Sequence, residues 1–341
     1  MARLLRLTFA LAALFAAYLL WAWSHSLHPG QATYSVKPGT GIGALAAELH
    51  RRGVLLESRS FVLLGYLTAQ KSDAKAGEYR FREGMSQREI LQQVAAGHVL
   101  EYPLRIVEGL NFRQVLAELA TAPSLSHTLQ GMTYAQIMTR LGAPGVHPEG
   151  RFYPDTYFYA GGNTDFAILR RAYEKMEARL QQEWENRDED LPYKSADEAL
   201  TMASIVEKET GRADERRLIA GVFVNRLKKH MRLGTDPTVI YGLGEKFDGD
   251  LRKRDLLTDT PYNTYTRHGL PPTPIAMPGG DSIYAALHPE KTGALYFVSR
   301  GDGAHVFSDT LEEHNRAVSK YQLGGRPFPP TPGGNDVPPK P

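Results

Sequence analysis

The sequence predicts an α+β protein on a single N-terminal transmembrane helix, with a small subdomain before a larger mixed α+β domain. Three observations predict it. An uncharged apolar run lies close to the N-terminus, short strand–helix units follow it, and from about Thr133 amphipathic helices alternate with loops rich in Gly, Pro, Tyr and Asn. A chain of 341 residues with 42% hydrophobic content is long enough for about two domains and a sizeable core. Forty basic residues oppose 38 acidic ones, a net charge of +2, so no electrostatic case exists for a nucleic-acid partner and none is expected. Without cysteine the chain has no disulfide, no thiolate nucleophile, no cysteine-ligated zinc and no lipidated N-terminal cysteine.

The first element is the run Leu7–Trp23, 17 residues without a charge and at the short end of the spanning range. Arg3 and Arg6 precede it, and Trp21 and Trp23 close it where an aromatic belt meets headgroups. Residues 1–6 thus read as a cytoplasmic tail and 7–23 as the span, with the remainder outside the cytoplasm. A cleaved signal peptide is the rival, because Ser24-His25-Ser26 offers a small-x-small site. A short polar link is expected next, then the subdomain over 32–100. There Val36 leads a strand into Pro38-Gly39, a helix follows with the stripe Ile42, Leu45, Ala46 and Leu49, and Gly53 stops it. A second unit has an alternating strand at Tyr79 and Phe81, Ser86 as cap, a helix through Ile90, Leu91 and Val94, and Gly97 as stop. The glycines of GTGIG lack dinucleotide-fingerprint spacing.

The larger domain, 101–325, opens on RIVEGLNFRQVLAELAT, another strand–helix unit. A charged amphipathic helix is expected over Asp165–Arg187, another from about Ala196, and a core helix within 215–231. TDPTVIYGLG and YNTYTRHGLPPTPIAMPG are too rich in Pro and Gly for long regular elements. Strands over 294–299 and 304–308 flank a Gly-Asp-Gly hairpin turn, and 326–341 reads as a disordered tail.

The helix from Ala196 ends in ASIVEKETGR, residues 203–212, with glutamates at 207 and 209. At about 100° per residue the two carboxylates point about 200° apart, so they cannot form one dyad. The stripe Leu200, Ala203, Ser204, Glu207 and Gly211 turns Glu207 inward and leaves Glu209 on the outer side, in a solvated pair with Arg212. A glutamate in a partly apolar wall favours its neutral form, which suits a general acid. The bland alternative is that Glu207 pairs with Arg212 or Arg216 and anchors the helix. Its candidate companions are Glu149, Tyr153, Asp155, Thr156 and Tyr157 in one loop, Thr235, Asp236, Thr238 and Tyr241 in another, and Tyr262, Asn263, Thr264 and Tyr265 in a third. Tyrosines, amides and hydroxyls suit sugars. For each residue singly, a rigid loop held by Asx turns is the simpler reading. The histidines lack metal-site spacing, and no GxSxG elbow or P-loop occurs, so neither metal nor cofactor is expected.

Taken in order, Glu149-Gly150, Pro154-Asp155-Thr156-Tyr157, Ala203 to Thr210, Asn225-Arg226-Leu227, Met231-Arg232-Leu233, Thr235 to Gly242, Tyr262 to Tyr265, Gly269-Leu270-Pro271-Pro272 with Pro274-Ile275, Leu295 to Val298 and His305 with Phe307 resemble the YceG/MltG family of membrane-anchored endolytic murein transglycosylases. The resemblance runs from about residue 30 to 320. It implies an inner-membrane anchor, a LysM-like subdomain over 32–100 and a periplasmic catalytic domain whose essential acid is Glu207. It also implies cleavage of the MurNAc–GlcNAc β-1,4 bond of nascent peptidoglycan to 1,6-anhydro ends, terminating strand elongation, with glycan strands and the membrane as partners and peptidoglycan synthases as further ones. Glu207 would protonate the glycosidic oxygen and then take the C6 hydroxyl proton, so no second carboxylate is needed. Two rivals stand beside it: a non-catalytic glycan-binding scaffold, and a muramidase that uses water with Asp155 or Asp236 as second carboxylate.

Overall fold

The computed structural model describes residues 1–30, 32–68 and 74–326. The tail expected to be disordered lies outside them except for Arg326. The described chain forms two compact units: Met1–Pro103 with Pro123–Ser126 and Phe158–Thr164, and Leu104–Ala122 with His127–Tyr157 and Asp165 onward.

The first unit opens with α1, Ala2–Ser24, long and apolar enough to cross a membrane. Then come β1 (Thr33–Val36), α2 (Ile42–Arg51), α3 (Arg59–Leu67), β2 (Gly77–Arg80) and α4 (Gln87–Ala96). β1 and β2 pair antiparallel, Thr33 opposite Arg80 and Val36 opposite Gly77. The stripe Ile42, Leu45, Ala46 and Leu49 is buried as its spacing requires, against Phe61 and Leu64 of α3 and Ile90, Leu91 and Val94 of α4. Ser86 and Glu89 form the capping box of α4, and Gly97 ends it left-handed at φ 76°. The sequence reading passed over α3, a nine-residue run in which buried Phe61 and Leu64 stand among further apolar residues, so no stripe shows. A second correction concerns the polar link after α1. Ala22 and Leu27 are buried, Trp23 packs on this core with Arg88 over its ring, and Ser26 bridges Ser86. Trp23 is therefore engaged by the unit itself.

β3 (Glu101–Arg105) leads through a turn to α5 (Phe112–Thr121) and α6 (Tyr134–Arg140), and β3 pairs with β4 (Thr156–Ala160). The second unit then continues through α7 (Asp165–Glu185), α8 (Ala196–Glu209), α9 (Arg216–Lys228), α10 (Asp236–Leu243), α11 (Lys253–Leu257) and α12 (Gly280–Leu287). The hairpin β5 (Tyr296–Ser299) and β6 (His305–Ser308) and α13 (Leu311–Tyr321) complete it. Ser195 caps α8 through the Glu198 amide, and Asp197 and Glu198 in the first turn and Lys208 in the last suit the helix dipole. Every residue of α8 from Ala199 to Val206 is buried, among α7, α9 and α12. It is the central core helix of the unit. Within the Pro- and Gly-rich stretches Pro237 sits in the first turn of α10, where it starts a short helix, and α12, which the sequence reading did not name, follows directly on Gly279.

Candidate active site

α8 carries its last turn beyond the core, so Glu207 is half-buried while Val206 before it is fully buried. The chain from Thr273 to Gly279 runs beside α8. The Ile275 amide donates to Ser204 Oγ at 3.0 Å, Ser204 Oγ donates to the Thr201 carbonyl at 2.7 Å, and the Gly279 amide donates to Glu207 Oε2 at 2.9 Å. Glu207 thus meets the N-terminal end of α12, where backbone dipoles favour a carboxylate. Its Oε1 has no protein partner among the described residues. The β3–α5 turn is clamped to the same segment: the Gly109 amide donates to Met277 O at 2.9 Å, the Met277 amide to Leu110 O at 2.7 Å, and Lys208 Nζ to Gly109 O at 3.2 Å.

That clamp brings in a residue the sequence reading missed. Glu108 lies against Gly279, so closely that a β-carbon there would sit 2.1 Å from Glu108 Oε1 and the carboxyl would have to move aside. Desolvation, then the charge of Glu207, push the Glu108 carboxyl above the usual range; Arg216 and Arg105 oppose the shift and Asp281 adds to it. Glu108 was legible only as one acid between apolar Ile106-Val107 and Gly109. The anchoring alternative for Glu207 fails: Arg216 pairs with Asp281 at 3.2 Å and Arg212 with Asp214 at 2.6 Å.

Glu209 corrects the helical-face argument. It is not on a solvated outer side. It is half-buried, accepts from Thr235 Oγ1, and its charge faces Arg226 and Tyr265. Gly211, placed on the stripe, lies past the helix end and is exposed.

The three companion loops are mostly occupied with one another. Thr235, Thr238, Asn263 and Thr264 are buried. Thr238 Oγ1 lies 2.9 Å from Thr264 Oγ1, and Asn263 Nδ2 donates to the carbonyls of Asp255, Leu256 and Thr258. The Tyr265 hydroxyl donates to Asp236 at 2.7 Å and the Tyr262 hydroxyl lies 2.9 Å from Thr273 Oγ1. Asp155 and Thr156 are exposed, Asp155 paired with Lys175, while Tyr157 is buried with its hydroxyl on the Tyr153 carbonyl at 2.7 Å. Glu149 is buried: its carboxyl receives the Phe112 amide at 3.0 and 3.2 Å and the Tyr241 hydroxyl at 3.0 Å, and burial pushes it up to about 7. A cavity of about 820 Å³ lined by Arg151, Asp197, Thr201 and Pro271–Pro274 opens toward the other end of α8 and does not include Glu207.

A half-buried carboxyl held by one amide, with the acid Glu108 coupled to it by charge, has the geometry that acid–base chemistry requires. A model of the YceG-like family matches residues 34–320. Over 306 residues the chain is 34% identical to a Bacillus subtilis (strain 168) protein named endolytic murein transglycosylase, covering 84% of each chain. A Streptococcus pneumoniae serotype 2 protein of the same name is 26% identical over 325 residues, 85% of this chain and 58% of that one. A crystal structure of a YceG-like protein from Listeria monocytogenes, 31% identical, matches 84% of this chain and 98% of its own with a TM-score of 0.54. The chain belongs to the YceG-like family.

Proposed function

We propose that this chain is an endolytic murein transglycosylase and that Glu207 is its acid and base. The observation carrying the reading is the Glu207 carboxyl, fixed through Oε2 by the Gly279 amide with Oε1 left for substrate, in a chain 34% identical to a protein named for that activity. In its neutral form Glu207 donates a proton to the oxygen joining MurNAc C1 to GlcNAc C4, and that C1–O bond breaks. The MurNAc C6 hydroxyl then attacks C1 and gives its proton to the Glu207 carboxylate, which restores the acid. A 1,6-anhydro ring forms and no water is consumed. The Gly279 amide stabilises the carboxylate midway through the cycle.

The companion residues divide in this reading. Thr235, Thr238, Asn263 and Thr264 hold the loops, and Asp236, Tyr241, Tyr262 and Tyr265, partly exposed, present rings and oxygens to sugars. The strand–helix–helix–strand order of residues 33–80 supports a LysM-like, glycan-binding module. The packing of α1 onto that unit supports a retained inner-membrane anchor with the rest in the periplasm, where nascent strands and their synthases are the partners.

Glu108 favours one second reading. A water-using muramidase needs a second carboxylate, and Glu108 is the acid whose charge Glu207 perturbs, in place of Asp155 or Asp236. Mass spectrometry of glycan strands digested by the full chain separates the two. Anhydro-MurNAc ends that disappear in Glu207→Gln support the transglycosylase, and reducing ends would replace it with the muramidase.

A further inference from the structure

α1 is long enough to cross a membrane, and its uncharged run Leu7–Trp23 ends in the aromatic pair Trp21 and Trp23. One side of its far end touches the first unit, while Tyr18, Leu20 and Trp21 stay exposed. The Tyr18 hydroxyl donates to Glu57 Oε1 at 3.0 Å, Ala22 is 2% exposed, and Trp23 packs on the core.

The segment facing Tyr18 is the turn between α2 and α3. Val54 and Leu55 point into the core and Glu57 is held by Tyr18, but Leu56 between them is 72% exposed. Tyr18, Trp21 and Leu56 line one small cleft, so the exposed leucine lies at the level of the aromatic end of the span. Arg51, Arg52 and Arg59 flank it, all exposed, the first two sharing Glu48. An apolar tip among arginines beside a spanning helix has the chemistry of a surface seated between acyl chains and anionic headgroups.

We propose that the α2–α3 turn is a second membrane contact, with Leu56 entering the acyl boundary beside α1 and Arg51, Arg52 and Arg59 meeting anionic lipid headgroups. The contact holds the first unit at a fixed height on the bilayer. It rests on reading α1 as a retained anchor.

The chain has no cysteine, so single cysteines report cleanly. Full-length Leu56→Cys, Leu14→Cys and Glu101→Cys, each carrying a nitrobenzoxadiazole label, are reconstituted in vesicles of phosphatidylcholine and phosphatidylglycerol with or without brominated acyl chains. Leu56 is exposed, so its replacement leaves the core intact. The label at 56 is expected to be blue-shifted and quenched by brominated lipid, approaching the label at 14, while that at 101 keeps its aqueous emission. An aqueous, unquenched label at 56 beside a quenched label at 14 overturns the proposal and leaves the anchor standing. An unquenched label at 14 overturns the anchor itself.

Discussion

Glu207 and Glu209 are two residues apart on one helix, and the structure gives them different work. Glu207 leaves the core at the last turn of α8 with one oxygen open, whereas Glu209 is tied to Thr235 and faces the buried charge of Arg226. The inward turn of Glu207 was legible because small and apolar residues precede it. The place of Glu209 was not, since Thr235 and Arg226, which meet it, come from other elements of the chain. Glu207→Gln is expected to lower turnover about 10²–10⁴-fold with folding unchanged, measured on isolated sacculi beside thermal unfolding. Glu209→Ala is expected to act on stability, costing about 1–3 kcal/mol by leaving the Thr235 hydroxyl and the Arg226 charge uncompensated. Denaturant unfolding checks it, and an activity loss with unchanged stability would contradict it.

At the scale of elements, capping and spacing made α2, α4, α8 and the β5–β6 hairpin legible, while α3, α10 and α12 were hidden by short length or by Pro and Gly at their starts. α12 matters most, because its start supplies the Gly279 amide and its steric limit. Gly279→Ala should push the Glu108 carboxyl aside and disturb the clamp on Glu207, lowering kcat more than it raises KM. Glu149 shows how another clamp is built: its buried carboxyl receives the first amide of α5 and the Tyr241 hydroxyl of α10. Its proton affinity, near pH 7, lies above that of an exposed glutamate near 4.5. The proton is therefore bound more tightly in the folded state. Its stabilising contribution is complete below about pH 4.5 and is lost as pH rises through about 7, by a cost of order 3 kcal/mol. Glu149→Gln keeps the acceptor without the charge, so the Tm of the variant should gain on that of the wild type between pH 4.5 and 7.5. Parallel Tm–pH curves would contradict the assignment.

At the scale of the molecule, the order of motifs along 341 residues carried the functional reading, and no single loop residue could have. The seating of α1 on the first unit was not readable in the sequence, because Tyr18, Ala22 and Trp23 look like any end of an apolar span. A full-length protein in the membrane fraction, with a reporter fused after Pro341 active only outside the cytoplasm, is the expected topology; a soluble, trimmed form would favour signal cleavage near Ser26. The central claim is that one carboxyl and the substrate's own hydroxyl complete the reaction without water. Digestion of glycan strands by the full chain in water enriched in oxygen-18 tests it most directly. New MurNAc ends that carry no oxygen-18 and are 18 mass units lighter than reducing ends are the predicted result, and one oxygen-18 at each new end would contradict it.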